Sequence, residues 1–140
     1  MSKGNFKLNL GDPAAAGVFL IGDEGAEGID ALDELARASN ALVLRSSLRG
    51  CRDKADLLRR LADTFDLPDY FGHNWDALSD SLGDLEWLDA SGYVLLLDHA
   101  RELRDAARAD FDTLLGILDE IADTWRERDI AFFSFVELVS

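Results

Sequence analysis

Cysteine, proline, histidine and positive charge are all scarce in this sequence. Its 140 residues hold one Cys, two Pro and two His, and 14 Lys and Arg stand against 28 Asp and Glu. A single thiol excludes an intrachain disulfide and makes a reducing compartment the simplest setting. Cys51 has no second Cys and no metal-spaced His beside it, so it reads as an ordinary packed or exposed side chain. With only Pro13 and Pro68, no repeat and no low-complexity tract, no linker is visible, and residues 1–140 read as one domain. The apolar runs fall far short of a membrane span, and MSKGNFKLNLGD lacks an apolar core of signal-peptide length, so the expected location is the cytoplasm. The shortage of cations leaves a formal net charge of -14 and a pI near 4.3. That balance argues against nucleic acid and lipid headgroups as partners, because like charges would have to be brought together. A basic partner is expected instead.

What is present is apolar material in dense clusters. Hydrophobic residues make up 48% of the chain, and GVFLIG, ALVL, YVLLLD and IAFFSFVELV are runs that a solvated acidic tail would lack. A chain of this length buries roughly two thirds of its unfolded surface, enough for its own core. GVFLIG, Gly17 to Gly22, predicts a buried strand followed by a helix with Ile29, Leu32, Leu35 and Ala36 at helical spacing. ALVLRSSL, Ala41 to Leu48, predicts a second strand. A helix starting at Asp53 or Asp56 comes next, with Leu57, Leu58, Leu61, Ala62 and Phe65 inward, Arg59 and Arg60 in water, and Pro68 as its stop. Asn74 is a candidate N-cap for a helix that buries Trp75, Leu78, Leu82 and Leu85. YVLLLD predicts a strand, His99 to about Arg128 a helical region broken near Ala109, and Ile130 to Leu138 the last strand. Strands separated by helices imply an α/β fold with parallel pairing.

Candidate catalytic and ligand motifs are weak. GDEGAEG sits between a strand and a helix, where a phosphate loop would sit, but Asp23, Glu24 and Glu27 would repel the phosphate and the spacing is not GxGxxG. His73, Asp76 and Asp80 lie at i, i+3 and i+7 and could face one metal ion, yet a capped helix start explains Asp76 without one. His99 comes after Asp98 at a strand end, with no Ser or Cys in a nucleophile turn. No catalytic group, metal or cofactor is expected. The acidic surface is the stronger signal. Between Arg60 and Arg101 there is no Lys or Arg, while nine carboxylates fall in that window. Tyr70, Phe71, Gly72, His73 and Asn74 stand directly before Asp76 and Asp80, an aromatic and amide rim around a charged centre, which is how protein interfaces are built.

The stretch LPDYFGHNWDALSDSL resembles the signature of the barstar family, intracellular inhibitors of the secreted ribonuclease barnase. ALVLRSSLRG, ADLLRRLADTF, YVLLLD and IAFFSFV stand around it in the family's order, so the resemblance covers residues 41–140. It implies a parallel sheet of three strands flanked by helices. Residues 1–40 lie outside the family's pattern and read as one added βα unit, whose strand would either join the sheet as a fourth or pack elsewhere. It also implies that Tyr70, Asn74, Asp76 and Asp80 contact a ribonuclease active site, with a further acidic contact from the last helix at Asp123 or, as a substitute, Glu120. The family's motif usually carries a tryptophan directly before its second aspartate; here that position is Ser79. The function implied is inhibition of a basic ribonuclease or nuclease toxin by carboxylates that occupy its phosphate subsites, with a free form expected to be monomeric. An acidic module for a basic partner that is not a nuclease is the alternative, and a metal enzyme built on His73, Asp76 and Asp80 is a third reading.

Overall fold

Four apolar runs pair into one sheet, and their order decides which face each helix must cover. The computed structural model describes residues 9–22, 28–67, 74–85 and 88–139. A 3-10 turn at Pro13–Ala15 precedes β1 (Val18–Ile21), α1 (Gly28–Arg37), β2 (Leu42–Ser47), α2 (Lys54–Thr64), α3 (Trp75–Leu82), β3 (Gly92–Asp98), α4 (Arg101–Ala106), α5 (Arg108–Arg126) and β4 (Ala131–Glu137). The strands run in the order β1-β4-β3-β2, and every pairing is parallel. The three strands that the resemblance implies are therefore joined by the expected fourth, β1, which adds to β4 with Val18 opposite Ser134.

β3 and β4 lie inside the sheet and are buried on both faces, which is why YVLLLD and AFFSFV read as continuous rather than alternating apolar runs. One face is covered by α1: Ile29, Leu32 and Ala36 pack with Val94, Leu96, Phe133 and Phe135. Phe19 of β1 stacks on Phe135 at 5.3 Å between ring centroids. The other face carries α2, α3, α4 and α5 over Tyr93, Leu95, Leu97, Phe132 and Val136. The N-terminal unit is also tied to the rest by polar bonds. Arg126 at the end of α5 donates from Nε to the Pro13 carbonyl at 3.1 Å and from Nη2 to the Ala16 carbonyl at 2.8 Å.

The helix ends have local causes. Asp53 caps α2 by accepting from the Asp56 amide at 2.9 Å. α2 stops at Thr64, short of Pro68, because Asp66 turns into the left-handed region (φ 52) and lets Leu67 N–H return to the Ala62 carbonyl at 2.9 Å. That is a Schellman closure with Asp where glycine is usual. α5 closes the same way, with Asp129 at φ 62 and Ile130 N–H on the Trp125 carbonyl at 3.0 Å. The break in the long helical region falls at Ala107, two residues before the expected Ala109. Arg60 departs from expectation: it is half-buried, and besides pairing with Asp56 its Nη1 donates to the carbonyls of Ser47 at 3.0 Å and Arg49 at 2.8 Å. A guanidinium that satisfies two loop carbonyls is held at the protein rather than in water.

Leu32 gives a measure of how far α1 belongs to the core. It is 2% exposed, so Leu32→Ala should cost about 2 to 5 kcal/mol of global stability, as a central core truncation does. Urea unfolding followed by tryptophan fluorescence checks this, because Trp125 lies on the opposite face of the sheet. A midpoint unchanged from wild type would mean that the N-terminal unit is an appendage.

Candidate functional site

α3 is only eight residues long, and a helix of that length does not hold itself in water. Its start is capped by Asn74, whose Oδ1 accepts from the Ala77 amide at 2.7 Å, as the sequence predicts. Leu78 and Leu82 are fully buried beneath it. Its C-terminal carbonyls are taken by α5 and the turn after it: Trp125 Nε1 donates to Leu82 O at 2.8 Å, and Arg128 Nη1 to Gly83 O at 2.7 Å. The chain then leaves through Leu85, which is buried and left-handed (φ 45), with its amide on the Ser81 carbonyl at 3.1 Å. A leucine in that conformation carries about 1 to 2 kcal/mol of strain, and burial of its side chain holds it there.

Trp75 is turned less far inward than its place on the apolar stripe implies. The ring is half-buried at the edge of the core rather than largely buried, with Lys54 Nζ 5.7 Å from its centroid. Tyr70, Phe71, Gly72 and His73 lie outside the described residues.

With Leu78 and Leu82 inward, the opposite face of α3 carries the charge. Asp76, Asp80 and Asp84 recur at intervals of four residues, all exposed; Asp76 and Asp80 stand only about 40° apart around the axis of α3, and Asp84 continues the row in the turn after the helix ends. Asp76 lies in the first turn, where the helix dipole favours it. None of the three forms an ion pair among the described residues. A groove of about 410 Å³ runs between α3 and α5 beside this row, lined in part by Ser79, Asp80, Gly83, Asp84, Glu120 and Thr124. Glu120 therefore shares a groove with Asp80. Asp123 does not line it; its carboxylate pairs with Arg126, the residue that holds the Pro13 and Ala16 carbonyls. Asp84 and Glu120 are the members of the site that the sequence marks least. Asp84 continues the four-residue series, and Glu120 and Thr124 repeat the same interval on α5, with Arg128 just past its end.

A second polar cluster lies at the carboxyl ends of β2 and β3. Asp98 is nearly buried and accepts from Arg45 Nε at 3.2 Å and from His99 Nδ1 at 2.7 Å. A guanidinium can only donate, so His99 Nε2 accepts from Arg49 Nη2 at 2.7 Å. Both ring nitrogens are thus engaged in joining the ends of two strands. Arg45 also pairs with Asp33 of α1 at 2.8 Å and Asp30 at 3.0 Å, binding that helix to the sheet. Among the described residues no group of three or more His, Cys, Asp and Glu is placed to hold a metal ion. The Cys51 thiol is buried, and burial pushes its pKa up, which suits packing rather than reactivity. No helix among the described residues is long and apolar enough to cross a membrane.

The sheet, the helix order and the unpaired acidic row can be set beside known proteins. The family model described as barstar (barnase inhibitor) matches residues 41–137, well over half of the 140-residue chain. The chain belongs to the barstar family. The match begins just before β2 and leaves β1 and α1 outside it. No curated protein gave a significant match.

The cap contact can be tested by substitution. Asn74→Asp should keep the stability of α3, since Asp caps comparably and adds charge at the positive end of the helix, whereas Asn74→Ala should lose about 1 kcal/mol. Thermal melts of both variants check this, and an Asn74→Asp that melts well below wild type would mean that the cap is elsewhere.

The acid limb of the stability curve tests the carboxylates that pair with arginine. For Asp98, burial alone raises the pKa, but bonds from Ser47, His99 and Arg45 outweigh it and hold the carboxyl below the ordinary 3.8. Asp33 is likewise lowered, its bonds from Arg45 and Arg37 outweighing burial. Asp56 is lowered chiefly by Arg60. A carboxyl with a depressed folded pKa contributes stability that is present above its unfolded value and lost as pH falls through its folded value. Unfolding free energy should therefore be level at neutral pH and fall below about pH 4. Asp98→Asn should flatten that fall, which urea titrations at several pH values will show.

Proposed function

We propose that this protein inhibits a basic ribonuclease or nuclease toxin by placing the acidic face of α3 over the enzyme's phosphate-binding groups. The observation that carries this reading is the row Asp76, Asp80 and Asp84, exposed and without ion pairs among the described residues, on a helix anchored from below by Leu78, Leu82 and Trp125 in a chain of the barstar family. A ribonuclease holds RNA phosphates with Arg, Lys and protonated His, and fixed carboxylates can pair with the same groups. Asp80, between the other two, is the central anchor of the reading, and Asp76 pairs with a guanidinium at close range. Tyr70, Phe71, Gly72 and His73 precede the cap and are assigned to the partner contact by their place in the family's motif alone, with Asn74 adding a neutral contact. Glu120 is the acidic contribution of α5, since it shares the groove with Asp80, whereas Asp123 is engaged by Arg126. The mechanism is occlusion, with no bond made or broken by this chain. Its net charge of -14 would accelerate encounter with a cationic enzyme, a form of steering for which barnase and barstar are themselves the standard example.

The test is RNA cleavage by a panel of basic bacterial ribonucleases, with and without the protein. At least one should be inhibited at one-to-one stoichiometry. Asp80→Ala should then weaken binding by several kcal/mol, mainly through faster dissociation, because the enzyme's cation is left buried and unpaired. Association should slow steeply as salt rises from about 0.05 to about 0.5 M, with a smaller change in dissociation. An Asp80→Ala variant that inhibits as well as wild type would remove Asp80 from the centre of the site. Stable capture of a basic protein without nuclease activity, and no inhibition across the panel, would favour an acidic docking module instead.

A further inference from the structure

The loop from Leu48 to Asp53 joins β2 to α2, and three side-chain contacts hold it down. Arg60 of α2 donates from Nη1 to the Ser47 and Arg49 carbonyls, at 3.0 and 2.8 Å. Arg52 pairs with Glu102 of α4 at 2.7 Å. Arg49 reaches His99, at the carboxyl end of β3, at 2.7 Å. Of the side chains in these contacts, the imidazole is the one whose type changes charge between about pH 5 and about pH 8.

The ring is fixed from the β3 and β4 side, and Arg49 is the movable partner. His99 stands in the left-handed region (φ 56), its amide is directed to Glu137 Oε1 at 3.4 Å, and the Ala100 amide is on the Glu137 carbonyl at 2.8 Å. Its Nδ1–H donates to Asp98 Oδ1 at 2.7 Å, while Arg45 holds the other oxygen of that carboxylate. The charged groups around the ring among the described residues are thus Asp98 of β3, Glu137 of β4 and Arg49 of the loop. Arg45 of β2 stands one bond further back, and Arg101 opens α4 two residues on. Arg49 itself is exposed and forms no ion pair among the described residues.

Nε2 is left to accept, and a guanidinium can only donate. A proton added to Nε2 would set N–H against N–H and cation against cation at 2.7 Å. The ring can keep Asp98 in both charge states, but it can keep Arg49 only while neutral. Cys51, two residues along the loop, is fully buried, with its amide on the Leu48 carbonyl at 2.9 Å.

We infer that Arg49 and His99 form a proton-operated latch: the neutral ring holds the β2–α2 loop closed over Cys51, and a second proton on the ring releases Arg49 and loosens the loop. The latch lies apart from the acidic face of α3 and holds whatever that face binds. Because the proton and Arg49 exclude one another at Nε2, their coupling is reciprocal, and Arg49 must also hold the proton off.

The experiment uses the full chain, labelled with 15N and 13C, from about pH 8 to about pH 5, above the acid limb set by the carboxylates. Long-range ring spectra should show neutral His99 protonated at Nδ1 and bare at Nε2. As the ring charges, the Arg49 side chain and the amides of Arg49 and Cys51 should shift with the same midpoint. Arg49→Ala should raise that midpoint by about 0.7 pH unit or more, a fivefold gain in proton affinity. Cys51 is the single thiol, so its labelling by 4,4′-dithiodipyridine reads the loop directly. Taken as the ratio of native to urea-unfolded rate at each pH, which cancels the thiol's own ionisation, labelling should rise as pH falls in wild type. In Arg49→Ala the ratio should be high and level, and in His99→Gln, whose amide oxygen still accepts from Arg49, low and level. Thermal melts check both variants, and the exposed Arg49 carries the test if His99→Gln does not fold. A neutral ring protonated at Nε2 overturns the latch, as does a ring that charges while Arg49 and the loop amides stay still. So does an Arg49→Ala midpoint at or below that of wild type, or a Cys51 ratio that stays level with pH in wild type.

Discussion

The contact of α3 with α5 is the constraint on which the candidate site depends. α3 has too few residues to be helical alone, and its direction is fixed from outside by Leu78 and Leu82 beneath it and by two donors at its end, the Trp125 indole and the Arg128 guanidinium. Trp125 in turn packs against Tyr93 of β3, at 5.1 Å between ring centroids. Tyr93 reaches the Leu88 carbonyl at 2.7 Å, just after the turn that leaves α3. The acidic row is thereby referred to an inner strand of the sheet through Trp125 and Tyr93. Pre-organisation of this kind lowers the ordering entropy that an interface must overcome.

Distribution of the few cations explains where charge is left over. Arg45 serves α1 and the strand ends, Arg60 holds Asp56 and two loop carbonyls, and Arg126 holds the N-terminal turn. Each of these is committed to structure, at the carboxyl ends of β2 and β3 or on the side of α5 that meets the N-terminal unit. The window between Arg60 and Arg101 has no Lys or Arg of its own. Arg128, which reaches the end of α3 from elsewhere, binds a carbonyl and a ring rather than a carboxylate among the described residues. The unpaired row is therefore a consequence of placement and not only of an acidic composition.

Much of this is legible in the sequence because apolar periodicity is a direct report of burial. The runs at β3 and β4 announce strands covered on both faces, and the stripes of α1, α2 and α5 announce helices on a sheet, so four strands and an α/β class can be read from the residues, whereas the place of β1 beside β4 is settled only by the structure. Helix phase at single-residue resolution cannot. The stripe of α5 is broad, from Ile117 and Leu118 to Ile121, Ala122 and Trp125, and one residue is about 100° of rotation. Glu120 and Asp123 flank such a stripe with no local signal to choose between them, and only the position of α3 on one side and the N-terminal turn on the other sends one to the groove and the other to Arg126. Trp75 shows the same limit at a helix start, where one turn inward means the edge of the core and not its centre. Arg60 escapes such a reading because a charged residue beside an apolar stripe carries no mark of the loop carbonyls it will meet. The left-handed Asp66, Leu85 and Asp129 carry no local mark either, since none of them is the glycine that usually takes that conformation.

The acidic row also sets stability against function within one helix. Like charges four residues apart are mutually unfavourable by a few tenths of a kcal/mol per pair, and Asp80 and Asp84 lie toward the C-terminal end, where the helix dipole disfavours anions as well. A left-handed leucine adds strain at the same end. None of these choices helps α3 to fold; the buried leucines and the two donors from α5 must offset all of them. A cation placed on this face relieves the repulsion and satisfies the dipole together, so the free energy withheld from folding becomes available to binding. In the proposed reading these broken local rules fall on the surface that meets the partner, the outer face and far end of α3, which is the usual condition of a functional surface carried by an otherwise consistent fold.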